Sequence, residues 1–127
     1  MTQEDKELLF KDLCARLPYG VKVKTNNINI LKLGSHTRVG EYVTDVIEPC
    51  KPYLFPLSSM TEEQYNEFFS YYHNIEMDAV KASGDYLKAA YIGDDAKYSW
   101  LNKNHFDYRG LIEKSLALDA TNLGIYE

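Results

Sequence analysis

The residue types that most often carry chemistry in proteins are present in this chain, but they are widely separated. The three histidines, His36, His73 and His105, form no His-Glu-x-x-His spacing, and neither cysteine has a histidine as a sequence neighbour. Such spacings bring metal ligands, or a nucleophile and its base, to one face of a helix or turn. The sequence therefore predicts no metal site, no cofactor and no catalytic residues.

Two weaker catalytic arrangements can still be drawn from the sequence. His105 and Asp107 would place an imidazole near a carboxylate, and Ser58 or Ser59 would supply a hydroxyl nucleophile. Nothing in the sequence order brings these groups together, so a hinge histidine and helix-capping hydroxyls are the favoured interpretation. No Gly-x-Ser-x-Gly and no glycine-rich phosphate loop is present. A protein without enzymatic activity is predicted, and a hydrolase whose site forms only in space stays an alternative.

The cysteines and the start of the chain predict the compartment. Cys14 and Cys50 lie 36 positions apart without Cys-x-x-Cys spacing, and Cys14 is expected to be a small buried side chain on the apolar stripe of a helix. The chain opens on the acidic MTQEDKE, whereas a secretory leader would be basic, and no apolar run reaches the roughly 18 residues of a spanning helix. A cytoplasmic protein with no membrane partner is predicted.

Aromatic side chains are the strongest signal in the composition. Eleven tyrosines, five phenylalanines and one tryptophan make up 13% of the 127 residues. Tyrosine and tryptophan combine an apolar ring with a polar edge, and they are enriched in binding surfaces. The aromatic excess therefore favours a binding module over an enzyme.

The net charge of -5 is unevenly distributed along the chain. Between Gly20 and Pro56 five basic residues stand against three acidic ones, whereas the rest of the chain is acidic. A protein that mainly neutralises nucleic-acid phosphates needs clustered Lys and Arg, so nucleic acid is the less favoured partner. The basic segment nevertheless keeps a nucleic-acid-associated regulator open as an alternative.

The predicted ligand-binding cluster combines aromatic residues near the C-terminus with this basic segment. Aromatic stacking together with Lys or Arg at the phosphates would hold a nucleotide. The same rings, with an arginine, would anchor a protein partner, and a site between subunits of a homo-oligomer is a third arrangement. The predicted ligand-binding residues are Trp100, His105, Tyr108, Arg109, Lys22, Lys24 and Arg38.

The elements that must position these residues predict an α+β fold in a single domain, residues 1–127. A helix is predicted over about residues 3–17, because apolar residues recur at spacings of three and four after a Thr2–Asp5 capping box. Residues 121–127 are expected to fray or to lie along the surface.

A period of two replaces the helical period in residues 20–57. This part is predicted to form a small antiparallel sheet, SH3-like or curled, with a hairpin turn at Asn26-Asn27. Further short strands are predicted at residues 41–43, 45–47 and 53–55. Because proline cannot donate to a ladder, the last strand, flanked by Pro52 and Pro56, is expected at an edge or in an extended connection.

Residues 58–120 are predicted to be mainly helical, with about three helices packed on the sheet. The first of them begins at Ser59 or Thr61, each of which has an acidic or amide residue at the capping-box spacing. An aromatic stripe follows at helical spacing, for which burial in the core is favoured and partial exposure is the alternative. The stripe consists of Tyr65, Phe68, Phe69 and Tyr72.

The second half of this region is less regular. A loop-rich segment is favoured over residues 73–84, although Met77, Ala79 and Val80 would allow a short helix there. A strand is predicted over residues 86–92, followed by a helix that is capped by Asp94 or Asp95 and carries Trp100. Asp107 is the expected N-cap of a last helix. Gly110 is unusual in the first turn of that helix, because glycine costs about 1 kcal/mol relative to alanine in a helix interior.

Three stretches carry a resemblance to a known family: MTQEDKELLFKDLCARLPYGVKV, KPYLFPLSSMTEEQYNEFF and WLNKNHFDYRGLIEKSLALDA. They resemble short uncharacterised proteins that recur in gut bacterial genomes and their phages or mobile elements. Residues 25–43 and 74–94 match that family less well. The resemblance implies an accessory factor that antagonises a host system, by holding a host protein or by sequestering a nucleotide signal. It assigns no functional residues.

Overall fold

A computed structural model describes residues 1–42 and 50–127 of the chain. The predicted α+β class is confirmed: an N-terminal helix is followed by a small mixed sheet and two further helices. The chain forms two compact units. We call residues 1–59 with 105–127 the sheet unit, and residues 60–104 the hairpin unit.

Helix α1 spans Gln3–Arg16 and begins with the predicted capping box. The Thr2 Oγ1 atom accepts a hydrogen bond from the Asp5 amide at 3.0 Å, and the Asp5 carboxylate accepts one from the Thr2 amide at 3.3 Å. This exchange satisfies two of the N–H groups that the first turn leaves unpaired. A short 3-10 turn over Leu17–Tyr19 then ends at Gly20, whose φ is 66°.

The expected burial of Cys14 is wrong, because its thiol is exposed. Helix α1 turns Leu9 and Leu13 into the core and leaves Phe10, next to Leu9, 44% exposed. The buried cysteine is Cys50, and burial raises the pKa of its thiol to about 12. This thiol is therefore protonated at neutral pH and lacks the thiolate that a nucleophile needs.

Strands β1 (Lys22–Lys24) and β2 (Leu31–Lys32) form the predicted antiparallel hairpin. In the turn between them, the Thr25 amide donates to the carbonyl of Ile28 at 2.9 Å, and the Ile28 amide donates to Thr25 Oγ1 at 3.0 Å. The second strand is shorter than the sequence pattern indicates. Ile28 and Ile30 consequently remain about half exposed, at 45% and 51%.

Strand β3 (Lys51–Pro56) lies at the centre of the sheet, so its predicted edge position is wrong. It pairs antiparallel with β1, and parallel with β4 (Phe106–Asp107) and β5 (Leu118–Asp119). The sheet is therefore mixed and not antiparallel. A proline fits a paired strand where its missing N–H would point away from the neighbour. Pro52 is in register with Val23 of β1, and Pro56 with Asp107 of β4.

The strand predicted at residues 41–43 is wrong over its described part, which belongs to a 3-10 turn at Val39–Tyr42. The strand predicted at residues 45–47 lies outside the described residues. Another 3-10 turn, Leu57–Ser59, follows β3. The core of the sheet unit is formed by α1, β1, β3 and the segments around them. Its buried residues include Leu9, Leu13, Val21, Val23, Leu33, Val39, Cys50, Leu54, Leu111, Leu116 and Ala117.

The hairpin unit consists of helices α2 (Glu62–Ser83) and α3 (Tyr86–Lys103). Of the two predicted starting points for α2, the structure uses Thr61. Its Oγ1 accepts from the Gln64 amide at 3.1 Å, and the Gln64 side chain accepts from the Thr61 amide at 2.9 Å. Gly84 ends α2 with a φ of 67°, which glycine adopts without steric cost.

The loop predicted over residues 73–84 and the strand predicted over residues 86–92 are both wrong, because these segments are helical. Ser83 does not break α2 early, since its hydroxyl donates to the Ala79 carbonyl one turn back at 2.8 Å. The cap of α3 is Asp85, which accepts from the Lys88 amide. The periodicity of a short apolar run does not distinguish a strand from a helix. The cap at Asp85 is the local signal that indicates a helix here.

The last predicted helix is also wrong, since no helix is assigned between residues 108 and 117. Gly110 and Ser115 have φ values of 75° and 61°, in the left-handed region that interrupts a right-handed helix. Asp107 nevertheless caps backbone amides as expected. Its carboxylate accepts from the amides of Arg109, Leu111 and Ile112 at 3.2, 3.0 and 2.9 Å.

The C-terminal residues are held in place, although they were expected to fray or to lie along the surface. Ile125 is buried. The Tyr126 hydroxyl accepts from the Lys22 amide at 2.9 Å and donates to the Tyr53 carbonyl at 2.7 Å. Tyr126 therefore connects the C-terminal segment to both β1 and β3.

Candidate functional site

A buried ion pair lies on the inner face of α1. The side chains of Asp12 and Arg16 are fully buried, and Arg16 Nε donates to Asp12 Oδ2 at 2.9 Å. Arg16 Nη2 also donates to Asp12 Oδ1 at 3.2 Å and to the Phe106 carbonyl at 2.6 Å. Residues four apart share a helix face, so this pair has a recognisable spacing. Sequence reasoning missed it because the apolar stripe was assigned to the neighbouring positions.

Two of the predicted ligand-binding residues, Tyr108 and Arg109, belong to the same network. Arg109 Nε donates to Asp12 Oδ1 at 3.2 Å, and its Nη2 donates to the Tyr108 hydroxyl at 3.0 Å. The guanidinium carbons of Arg109 and Arg16 lie 4.8 and 5.4 Å from the centre of the Tyr108 ring, within cation–π range. Here these residues stabilise a buried pair, and only 16% of the Arg109 side chain is exposed.

Two further predicted residues, His105 and Lys22, meet at Tyr126. The rings of His105 and Tyr126 are stacked, with 3.7 Å between centroids and 10° between planes. Lys22 Nζ lies 5.6 Å from the Tyr126 ring centre and donates to the Ile125 carbonyl at 2.6 Å. Sequence reasoning missed Tyr126, because its segment carries no periodic pattern.

The imidazole of His105 is buried, and among the described residues its Nδ1 atom has no hydrogen-bond partner. Burial lowers the pKa of His105 to about 4, and the positive charges of Arg16 and Lys22 act in the same direction. The imidazole is therefore neutral at pH 7. It packs as a flat ring against Tyr126 and has little access to a ligand.

The other predicted site residues have different environments. Trp100 is buried in the hairpin unit, with its ring centre 5.1 Å from that of Phe68. Lys24 is exposed, and Arg38, 85% exposed, lies 3.9 Å from Glu41. Lys24 and Arg38 are the most accessible members of the predicted ligand-binding cluster. The cluster stays a prediction.

The hairpin unit presents a different candidate surface. All 22 residues of α2 are described, and none of them is buried. The helix contacts α3 through half-buried rings such as Phe68 and Tyr72, whose centres are 5.1 Å apart. On α3 the buried positions facing the interior include Ala89, Gly93 and Ala96. These small residues allow close approach: a Cβ atom at Gly93 would lie 2.6 Å from a Glu76 carboxylate oxygen.

The expected burial of the aromatic stripe on α2 is therefore wrong for half of its members. Tyr65 and Phe69 are 54% and 43% exposed, whereas Phe68 and Tyr72 are half-buried. The neighbouring Tyr71 is 43% exposed. The alternative interpretation, a partly exposed aromatic surface, describes these residues correctly.

Each helix of the hairpin carries an exposed stripe in addition to the side that packs. On α2, Phe69 follows Phe68 by one position; on α3, Tyr91 and Tyr98 follow Ala89 and Ala96 by two. Each residue advances a helix by about 100°, so Phe69 lies about 100° round α2 from Phe68, whereas Tyr91 and Tyr98 lie about 200° round α3 from the buried Ala89 and Ala96 and point away from α2. We call the exposed stripes of the two helices together the aromatic face. It comprises Phe69, His73, Met77, Leu87, Tyr91 and Tyr98.

The exposed fractions on the aromatic face are large. Leu87 and Tyr91 are 68% and 69% exposed, and Tyr98 is 52% exposed. The rings of Phe69 and His73 are stacked, with centres 5.2 Å apart and 11° between planes. About half or more of each of these three side chains is therefore accessible to solvent.

Most of the net charge belongs to the same unit. Residues 60–104 include eight acidic and four basic residues, a net charge of -4 of the total of -5. The sheet unit is close to neutral by the same count. The aromatic face therefore lies on a strongly acidic helical hairpin.

The remaining features give no alternative site. A shallow cleft of about 370 Å³ is lined mainly by charged residues of α1 and by Lys114, none of them predicted as ligand-binding. Over residues 1–42 and 50–127, no three or more His, Cys, Asp or Glu side chains are grouped so that they could hold a metal ion. Within the same ranges, no helix has the length and apolar character needed to cross a bilayer.

No protein-family model, curated protein or solved structure matches the chain. The resemblance to proteins of phages and mobile elements therefore stays a prediction.

Proposed function

We propose that this protein is a non-enzymatic binding module that holds a protein partner through the aromatic face of its helical hairpin. The observation that carries the proposal is the absence of any buried residue along the fully described helix α2, despite its aromatic content. An amphipathic helix normally buries its apolar stripe, and contiguous exposed apolar surface marks an interaction site. On α3, Leu87 and Tyr91 form a second exposed stripe.

The shape and charge of the face favour a protein over a nucleotide. Small-molecule sites are concave and enclose most of the ligand, whereas these residues lie on the exposed surfaces of two helices. A hairpin unit with a net charge of -4 also repels phosphate groups. Tyrosine, phenylalanine and methionine are the residues that anchor protein interfaces.

The proposal extends to the biological role that the sequence resemblance implies. A phage or mobile-element accessory factor in the host cytoplasm antagonises a host protein by occupying one of its surfaces. A compact unit with exposed aromatic stripes on both helices suits that role, because binding requires no catalytic residues. The support for this role is the resemblance together with the exposed face.

The proposal is tested by affinity capture with matched variants. The double variant Tyr91→Ser/Tyr98→Ser removes two rings from the aromatic face, and Tyr71→Ser removes an exposed ring elsewhere on α2. Proteins from a lysate of the encoding cell, quantified by mass spectrometry, are expected to bind the wild type and Tyr71→Ser equally and to be lost with the double variant. Circular dichroism verifies that all three chains are folded.

A thermal-shift panel of nucleotides and cyclic dinucleotides tests the rival assignment. A ligand at about a hundred times its dissociation constant stabilises the folded state by about 2.7 kcal/mol. We expect no such shift. A clear rise in melting temperature that persists in the Tyr91→Ser/Tyr98→Ser variant, with no protein captured, would contradict the proposed function and favour nucleotide sequestration.

A further inference from the structure

We propose that the sheet unit carries a second binding site, in which four lysine side chains on one face of the sheet hold the phosphodiester backbone of a nucleic acid without reading its bases. We call Lys22, Lys24, Lys32 and Lys51 the lysine face. It shares no residue with the aromatic face and does not rest on the proposed function. The proposal follows from the register of three strands, from the position of β1 in the sheet, and from contacts that hold two of the ammonium groups.

The register of the strands places the four lysines on one face of the sheet. Lys22 lies opposite Lys32 of β2, and Lys24 lies opposite Lys51 of β3. Residues directly opposite each other in antiparallel strands project to the same face, as do residues two positions apart along one strand. Val23, between the two lysines of β1, is buried in the core. The lysine face is therefore opposite to the side on which Val23 packs.

These two lysine pairs oppose the stability of the sheet, because like charges directly opposite each other are destabilising. Protection of a sheet edge does not explain them. Lysines serve that purpose on edge strands, whereas β1 lies between β2 and β3. Over residues 1–42 and 50–127, no carboxylate forms an ion pair with any of the four ammonium groups. Anionic groups of a ligand would offset the repulsion.

Two of the four ammonium groups are held in place by contacts within the sheet unit. Lys22 Nζ donates to the Ile125 carbonyl at 2.6 Å, which uses one of the three donors of an ammonium group. The Lys32 side chain crosses Gly20, where an added Cβ atom would lie 2.6 Å from Lys32 Cε. Side chains that are already ordered lose less conformational entropy on binding. The lysine face is therefore partly preorganised for an anion.

The dimensions of the lysine face favour a nucleic-acid backbone over a single nucleotide. Lys22 and Lys24 are two positions apart, about 7 Å along β1, and Lys32 and Lys51 lie on strands about 10 Å apart. The phosphates of one nucleotide adjoin each other, so they reach one lysine pair. Successive phosphates of a backbone are spread along the strand and reach both pairs.

The surroundings of the lysine face favour contact with the backbone alone. Stacking of bases needs accessible rings, but the Tyr126 ring, 5.6 Å from Lys22 Nζ, is half-buried and stacked on His105. A lipid surface also attracts lysines, but elements that bind it insert a broad apolar side. The connection between β1 and β2 offers two aliphatic side chains, Ile28 and Ile30, each about half exposed. Nucleic acid therefore fits the face better than a membrane.

Fluorescence anisotropy of the full chain with labelled oligonucleotides of about 20 nucleotides, longer than most single-strand sites, tests the inference. The probes are two single strands of different sequence and a duplex, and co-sedimentation with phosphatidylserine vesicles is the comparison. We expect both single strands to bind equally. Their affinity should fall roughly 40- to 150-fold between about 25 and 150 mM NaCl, which corresponds to three or four phosphate contacts. Tighter binding of the duplex would support the phosphate contacts and assign double-stranded nucleic acid as their source.

Matched variants localise the binding. Lys24→Gln/Lys32→Gln removes one charge from each lysine pair, so it should weaken single-strand binding about tenfold or more and reduce the salt slope by about 1.4. Lys24→Arg/Lys32→Arg keeps both charges and should bind like the wild type. Lys81→Gln/Lys88→Gln makes the same change in net charge on the hairpin unit and should have little effect. Because Lys24→Gln/Lys32→Gln relieves repulsion within the sheet, its melting temperature should not fall.

Three results would overturn the inference. The first is the absence of oligonucleotide binding at about 25 mM NaCl, where phosphate contacts are strong. The second is equal weakening by Lys24→Gln/Lys32→Gln and Lys81→Gln/Lys88→Gln, which would indicate a general effect of net charge. The third is vesicle binding that depends on the lysine face without oligonucleotide binding, which would assign the face to a membrane surface. None of these results affects the proposed function, since the aromatic face is unchanged in the lysine variants.

Discussion

At the scale of single residues, Asp12 holds two guanidinium groups, and that of Arg16 is completely buried. Removing one partner of a buried ion pair leaves an uncompensated charge in the interior, which costs about 3–5 kcal/mol. We therefore expect Asp12→Ala to lower the free energy of unfolding by that amount, measured by urea denaturation. Arg109 would lose a partner as well, although its side chain retains some contact with water.

A second variant separates charge from packing at this position. In Asp12→Leu/Arg16→Met both buried charges are replaced by apolar side chains, so the loss of stability should be smaller than in Asp12→Ala. Glu7→Ala, an exposed change on the same helix, should leave stability unchanged. A loss below about 1 kcal/mol in Asp12→Ala would contradict the ion-pair argument.

His105 makes stability depend on pH. Burial is the main cause that lowers its pKa from the ordinary 6.5 to about 4, so the unfolded state binds a proton more readily than the folded state. The stability contributed by the neutral imidazole is complete above pH 6.5 and is lost as the pH falls towards 4. Its loss should approach about 1.4 kcal/mol per pH unit in this window.

Carboxylates titrate over part of the same range, so the measurement needs a variant without the imidazole. His105→Asn suits this purpose, because asparagine tolerates the left-handed backbone found there, with φ of 61°. Urea denaturation at pH 7, 6 and 5 should show wild-type stability falling more steeply than that of His105→Asn. Parallel curves for the two proteins would refute the lowered pKa.

At the scale of elements, Gly110 distinguishes turns from the helix that the sequence predicts. Its φ is 75°, and a Cβ atom there would meet nothing within 4 Å. Gly110→Ala therefore costs only the left-handed backbone of an L-residue, about 1–2 kcal/mol. If residues 108–117 were helical, the same change would stabilise the protein by about 1 kcal/mol. The sign of the change in the free energy of unfolding, measured by chemical denaturation, therefore distinguishes turns from a helix at residues 108–117.

Gly34→Ala is the matched control for this prediction. Gly34 also has open space around its Cβ position, but it has no positive φ. Alanine restricts the unfolded chain, so Gly34→Ala should be neutral or stabilise the fold by up to about 1 kcal/mol. Destabilisation of both variants to the same extent would show that the backbone angle is not the cause.

The elements that local rules predict correctly are those whose signals are local. The capping box at Thr2 and Asp5 begins α1 where the sequence places it, and the change to a period of two predicts the β1–β2 hairpin. The parallel pairing of β3 with β4 and β5 joins residues more than fifty positions apart. No short-range pattern specifies such contacts, and the central position of β3 was therefore missed.

The structure places the residues of the predicted ligand-binding cluster in different environments, and the predicted binding stays a prediction. Aromatic excess indicated a binding surface, yet the predicted residues Trp100 and His105 are buried. The exposed rings are instead on α2 and α3, where helical spacing alone does not tell whether a stripe faces a partner helix or solvent. Burial depends on which elements pack together, and the sequence contains no direct signal for that.

At the scale of the whole molecule, charge and apolar surface coincide in one unit. The hairpin unit carries a net charge of -4, whereas the rest of the chain carries -1. Net charge keeps proteins monomeric by repulsion, and this repulsion acts where the apolar rings would otherwise drive self-association. The acidic residues therefore oppose contact between the aromatic faces of two copies.

This balance predicts self-association that increases with salt. At about 1 M NaCl the Debye length falls to about 3 Å, so repulsion between hairpin units is screened while apolar burial is retained. Sedimentation velocity should show a monomer at about 50 mM NaCl and a larger average mass at about 1 M.

The aromatic face itself supplies the control for this experiment. Tyr91→Ser/Tyr98→Ser should remain monomeric at both salt concentrations, because it lacks the rings that would be buried between copies. Tyr71→Ser, altered outside that face, should behave like the wild type. A dimer that forms at low salt and dissociates at high salt would mean that ionic attraction joins the copies, which contradicts the charge argument.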